Sequence, residues 1–147
     1  MNKPRILAVA DDKSVLMTCE FALKQSYNVY AVTSAEAMFE LLEEIPPELI
    51  VLDIIMPGMD GYEAAQILKS DERYKDIPII FISAMTDEAS EAEGFKIGAV
   101  DYIYKPFTAS QLKRRVDREM YIVKLYKEFK DLETYIHNKI NNQEEMP

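Results

Sequence analysis

The stretch from Leu49 to Gly61 constrains this chain more than any other. It reads Leu-Ile-Val-Leu-Asp-Ile-Ile-Met-Pro-Gly-Met-Asp-Gly. Residues 49–52 are uninterruptedly apolar and strand-sized, which marks a strand covered on both faces, as in a parallel sheet with helices above and below. The run stops on one carboxylate, Asp53, at the strand's C-terminal end. Pro57, Gly58 and Gly61 then break the backbone into a loop before a helical pattern resumes at Tyr62. Open parallel sheets bind ligands at this rim, so Asp53 is the first candidate for chemistry.

The same alternation runs through the chain. Residues 5–10 form a short apolar strand ending in Asp11-Asp12, and Val15, Leu16, Cys19, Ala22 and Leu23 follow at helical spacing, with Ser14 as the expected cap. Residues 27–32 are rich in β-formers. Ser34 opens a second amphipathic helix carrying Met38, Leu41 and Leu42, which Pro46-Pro47 closes. After the central strand comes a helix with Tyr62, Ala65, Ile67 and Leu68 inward. Residues 77–83 make a fourth strand, 87–97 a fourth helix stopped by Gly98, and 100–104 a fifth strand before a helix from about Ala109. Short connections and right-handed crossovers predict an α/β fold, a doubly wound five-stranded parallel sheet in the flavodoxin-like order 2-1-3-4-5, with an extended C-terminal helix. A chain of 147 residues supports one such core and an appendage.

In that order the strands ending at Ala10 and Leu52 are neighbours, so Asp11, Asp12 and Asp53 converge where the strand order reverses. Like charges so close call for a cation, and few protein ligands plus waters suit Mg²⁺. On the same rim the fourth strand ends in Ser83 and the fifth in Lys105. A hydroxyl and an ammonium beside a metal-bound carboxylate make a site for a phosphoryl group. Lys105-Pro106 favours a fixed turn, one that admits a cis bond, aiming the ammonium into the cleft.

Other features set exclusions. A formal charge of -9 argues against direct binding of nucleic acid or anionic membrane. No apolar run is long enough to span a bilayer, and the first residues lack a signal-peptide segment, so the expected compartment is cytoplasmic. Cys19 reads as a buried small hydrophobe, His137 as a solvated surface residue, and the eight methionines as core packing.

Four marks together resemble the receiver domains of two-component response regulators. They are Arg-Ile-Leu-Ala-Val before Asp11-Asp12, Asp53 followed by Met-Pro-Gly-Met-Asp-Gly, Ile-Ser-Ala at 82–84, and Gly-Ala-Val-Asp-Tyr-Ile-Tyr-Lys-Pro-Phe at 98–107. The resemblance covers residues 5 to about 123. It implies that Asp53 accepts a phosphoryl group from a sensor histidine kinase or phosphotransfer protein with Mg²⁺, and that a conformational switch controls a partner or output domain. By position, Asp11 and Asp53 with the Ile55 backbone carbonyl would hold the metal, Ser83 and Lys105 would contact phosphoryl oxygens, and Ser83 and Tyr102 would form the switch. Such a domain is not a conventional enzyme, because it catalyses only its own aspartyl phosphorylation and dephosphorylation.

The chain departs from the family pattern at Ala10, which stands where the first of two adjacent acids is usual. Asp11 then takes the directly coordinating place and Asp12 the next, so loss of the first acid either weakens Mg²⁺ binding or leaves a water-bridged role to Asp12. Ile55 and Met85 occupy positions that tune dephosphorylation in the family, and both are apolar. The alternative these features suggest is a phosphorylation-independent, receiver-like interaction module. A phosphatase or flavin binder on a similar sheet lacks support, since Asp53 has no second Asp two residues on and no phosphate loop follows the first strand.

The expected division is a receiver domain at 1–123 and a helical extension at 124–147. Ile122, Leu125, Phe129, Leu132 and Ile136 recur at spacings of 3, 4, 3 and 4, a seam of about two heptads. The seam predicts a weak homodimer with parallel helices or a lead into an output domain, and an end folded back on its own domain is the other reading.

Overall fold

The computed structural model describes residues 2–85 and 87–144. Five parallel strands, β1 (Arg5–Val9), β2 (Asn28–Val32), β3 (Leu49–Asp53), β4 (Ile79–Ser83) and β5 (Asp101–Tyr104), alternate with helices α1 (Lys13–Leu23), α2 (Ala35–Glu44), α3 (Gly61–Lys69), α4 (Glu88–Ile97) and α5 (Ala109–Glu144). The sheet order is β2-β1-β3-β4-β5, as expected. The central strands β3 and β4 are buried along their whole length, which is why their sequences are apolar throughout.

Side chains still alternate between the faces with period two. Leu7, Val9, Ile50, Leu52 and Phe81 point to one side and pack with Met38 and Leu42 of α2 and Ala64, Ala65 and Leu68 of α3. Ile6, Ala8, Leu49, Val51, Ile80 and Ile82 point to the other and pack with Leu16, Cys19 and Leu23 of α1 and Leu112 and Val116 of α5. Pairing sets the depth of each strand end: Val9 lies beside Leu52, Asp53 beside Ile82, and Ser83 beside Tyr104. The residues after Val9 and those ending β3, β4 and β5 therefore share one rim.

Several local expectations are corrected. The strands β2, β4 and β5 begin one or two residues later than the β-former runs suggest. The N-cap of α1 is Asp12, whose side chain accepts the Ser14 N–H, and Ser14 itself lies inside the helix. Ile67 is exposed, because the buried stripe of α3 is Gly61, Ala64, Ala65 and Leu68. Met38 and Met56 are core residues, but Met17 is 68% exposed, so methionine content is not a count of core positions. Ser34 caps α2 and Cys19 is buried, both as expected.

The two helices on the α1 face are tied by a polar contact. Tyr27, just after α1, donates its hydroxyl to Asp117 Oδ1 at 2.6 Å, and Lys113 Nζ lies 2.6 Å from Oδ2. Burial raises the Asp117 carboxyl, but the hydrogen bonds from Lys113 and Tyr27 outweigh it and hold the group below the usual aspartate range. A lowered folded value means stability present at neutral pH that is lost as pH falls through that value. Tyr27→Phe is expected to cost about 1 kcal/mol at pH 7. In urea denaturation the difference from the parent chain should shrink in strong acid; a difference that grows there would contradict it.

Only the first turns of α5 belong to the core, through Leu112, Val116 and Glu119. The helix then continues without a break to Glu144, so the expected division at 123/124 falls inside a single helix of 36 residues, about 54 Å long. Ile122, Leu125, Phe129, Leu132 and Ile136 are all exposed, so the end does not fold back. Among the described residues, no helix is long and apolar enough to cross a membrane.

Candidate functional site

Asp53 is the last residue of β3 and is 1% exposed. Lys105, which follows β5, reaches across the end of β4 and places Nζ 2.6 Å from Asp53 Oδ2. The Lys105 N–H is anchored on the Ser83 carbonyl at 2.8 Å, and the Lys105-Pro106 bond is cis. Asp53 Oδ1 is buried with no hydrogen-bond partner. Burial pushes this carboxyl above the usual aspartate range; the Lys105 ammonium pulls the other way, and the charge of Asp11 adds to the rise. A buried carboxylate with one oxygen unpartnered is a costly arrangement that a bound cation or an added group would relieve.

The acids after β1 separate in their roles. Asp11 is exposed and is one of the charges acting on Asp53. Asp12 Oδ1 accepts both the backbone N–H of Ser14, at 2.8 Å, and its hydroxyl, at 2.7 Å, as the α1 cap. Ala10, where the sequence departs from the receiver pattern, is buried. Among the described residues no cluster of three or more acidic, His or Cys side chains could hold a metal. The donors that could hold a metal at the orphaned Asp53 Oδ1 would be Asp53 itself, Asp11 and the Ile55 carbonyl in the following loop. Mg²⁺ keeps several waters and is held by one or two carboxylates, so this set suits it.

The residues expected to form a switch meet at one place. Ser83 is fully buried and its Oγ accepts the Met85 N–H at 2.9 Å, while the Tyr102 hydroxyl donates to the Met85 carbonyl at 3.1 Å. Both thus hold the same residue of the loop after β4. Tyr102 is buried and continues an edge-to-face series, with Tyr62 to Phe81 at 5.2 Å, Phe81 to Tyr102 at 6.4 Å, and Tyr102 to Tyr104 at 5.4 Å. The Tyr102 hydroxyl thus ties the ring to the start of the β4–α4 loop.

Two grooves flank the rim. One of about 470 Å³ is lined by Asp12, Ser14, Thr18, Ala84, Lys105 and Phe107. The other, about 320 Å³, runs past Ile54, Ile55, Met56, Tyr62 and Met85. Met17 and Phe21, 68% and 72% exposed, lie one and two turns along α1 on the side of Ser14. Sequence reading passed over this apolar face, because helical spacing alone assigns such residues to a core; their offset from Leu16 and Cys19 was the available signal.

Comparison with known proteins shows the family and the fold. The model of the response regulator receiver domain matches residues 6–117. The chain is 34% identical over 140 residues to the transcriptional regulatory protein YvrH of Bacillus subtilis, covering 94% of this chain and 58% of YvrH. It is 37% identical over 116 residues to a Vibrio cholerae protein named "Probable cyclic di-GMP phosphodiesterase", covering 79% of this chain and 26% of that one. Among solved structures, the BeF3-activated receiver domain of DrrB from Thermotoga maritima superposes with a TM-score of 0.74 at 30% identity, over 81% of this chain and 98% of that one. The chain spans about a quarter to three-fifths of the length of these two curated relatives. Fold and matches agree, and the chain belongs to the response regulator receiver domain family.

Proposed function

We propose that this chain is a phosphoacceptor in which Asp53 takes a phosphoryl group from the phosphohistidine of a sensor histidine kinase or phosphotransfer protein. The observation that carries the reading is the buried Asp53 carboxylate, with Oδ2 on Lys105 and Oδ1 unpartnered, at the rim of the sheet. A carboxylate oxygen attacks phosphorus in line as the P–N bond breaks, and the histidine leaves with its ring nitrogen able to take a proton. Mg²⁺, when bound by Asp11, Asp53 and the Ile55 carbonyl, supplies positive charge opposite the oxygens where negative charge develops. Lys105 moves from Asp53 to a phosphoryl oxygen, keeping its charge paired. Ser83 can turn its hydroxyl from the Met85 N–H to another phosphoryl oxygen, and Tyr102, held by the Met85 carbonyl, would follow the loop. Met17 and Phe21, exposed one and two turns along α1 from the rim, offer an apolar contact for the donor protein.

The test is incubation with acetyl phosphate and Mg²⁺ followed by intact mass. One acid-labile phosphoryl group per chain is expected. No incorporation with either acetyl phosphate or a phosphorylated histidine donor would favour a phosphorylation-independent interaction module, the reading that Ala10 suggests. An output through nucleic acid would need a further domain, as the relationship to transcriptional regulators indicates.

The metal set has its own test. Asp11→Ala should weaken Mg²⁺ binding about tenfold or more, while Asp12→Ala should act mainly on α1, costing about 1 kcal/mol of stability through the lost cap. Equal losses of affinity in a Mg²⁺ titration would place Asp12 among the ligands.

A further inference from the structure

We propose that the projecting half of α5 pairs with the same segment of a second copy of this chain, with the two helices antiparallel. The inference is independent of phosphotransfer and rests on the apolar face that α5 carries beyond its own domain. With Ile122 at heptad position a, the seam is Ile122, Phe129 and Ile136 at a and Leu125 and Leu132 at d, all exposed. The outer positions are almost all polar: Lys124, Lys127, Lys130, Asp131, Thr134, His137, Asn138 and Asn141. The flanks are not. Tyr121, Tyr126, Tyr135 and Ile140 at e and g are also exposed and widen the apolar face. Together these nine side chains offer on the order of 900 Å² per chain, against roughly 800 Å² per partner in a standard interface.

The parallel arrangement expected from the seam alone is disfavoured by charge. It would set Glu128 at g against the partner's Glu133 at e on both sides, and Lys139 at d against the partner's Lys139. The antiparallel register stacks Phe129 on the partner's Leu132 and Leu125 on the partner's Ile136. Glu128 then lies beside the partner's Tyr135, and Glu133 beside the partner's Tyr126. Lys139 meets the partner's Ile122 instead of a second lysine.

This register also accounts for a second surface. A groove of about 550 Å³ at the base of the sheet is lined by Pro47, Ile77, Pro78, Val100, Ile122 and Tyr126, together with the charged Glu48, Arg73, Asp76 and Glu119. Antiparallel pairing brings the partner's Ile140 opposite Glu119, against this groove. Parallel pairing leaves the groove open, with Ile140 beside the partner's Tyr135.

Sedimentation equilibrium of the full chain should show a monomer–dimer equilibrium. Phe129→Glu should shift the midpoint to at least about tenfold higher concentration without change in helical signal, since the side chain is exposed in the monomer. Orientation is read by disulfide formation at engineered cysteines, with the buried Cys19 of the parent chain as background. Mixing Ile122→Cys with Lys139→Cys should give a crossed dimer, and neither variant alone should crosslink. Crosslinking of Ile122→Cys with itself would overturn the antiparallel order. A chain monomeric at all concentrations would overturn the pairing altogether.

Discussion

The Asp53→Asn variant is expected to take up no phosphoryl group from acetyl phosphate and Mg²⁺, a loss of about a thousandfold or more, while keeping its fold. The amide preserves shape at a fully buried position but removes the nucleophile. It should also preserve or raise stability. Burial pushes the Asp53 carboxyl above the usual aspartate range despite Lys105, so the folded chain binds that proton more tightly than the unfolded one. The stability this group contributes is present in acid and is lost as pH rises through its folded value. At neutral pH the ionised form is therefore a liability, and the variant should gain stability over the parent in the absence of metal, a gap that closes on acidification. Intact mass after acetyl phosphate and urea midpoints at two pH values measure both parts. Labelling at the parent level would remove Asp53 from the role; a variant much less stable than the parent would mean that the Lys105 pair outweighs the burial.

Why was so much of this site readable from residues alone? Parallel strands buried on both faces leave no choice of composition, so Leu49 to Leu52 and Ile79 to Ile82 announce themselves, and the polar residue ending each run must lie at the rim. Asp53, Ser83 and Lys105 follow from that rule without knowledge of any contact. Features decided by local competition were less legible. Asp12 and Ser14 are both good caps, and only the backbone shows that Asp12 sits before the first helical turn. Side-chain direction was also hidden: Ile67 lies within the apolar pattern read for α3 but turns outward by a part of a turn. The α5 seam shows what periodicity leaves open. Its residues lie exposed on one face, yet their spacing is silent on orientation, which in a pair of such helices would depend on the flanking charges and on a groove built from residues far apart in sequence.

Gly61→Ala should be the most destabilising single-methyl change at this rim. The loop after β3 doubles back so that Gly61, the first residue of α3, donates its N–H to the Ile54 carbonyl at 2.7 Å. A Cβ at Gly61 would lie 2.3 Å from the Asp53 carbonyl oxygen and 2.7 Å from Ile54 Cα. Both are backbone atoms, so no flexible side chain can swing aside, and either α3 or the end of β3 must move. The expected cost is about 3 kcal/mol or more, a large share of the 5–15 kcal/mol typical of a domain. The same displacement would shift the Asp53 main chain and the Ile55 carbonyl beyond it, so Mg²⁺ affinity should fall together with stability. Gly98→Ala is the control. Gly98 has φ of +120°, and a side chain there is strained by about 1–2 kcal/mol, but its nearest neighbour is the flexible end of Lys69, far from the carboxylate. Urea midpoints and Mg²⁺ titrations of both variants separate the effects: Gly98→Ala should lose stability alone, and Gly61→Ala should lose both. A Gly61→Ala chain no less stable than Gly98→Ala would show that the loop yields, and that close packing of α3 on the end of β3 does not hold Asp53 in place.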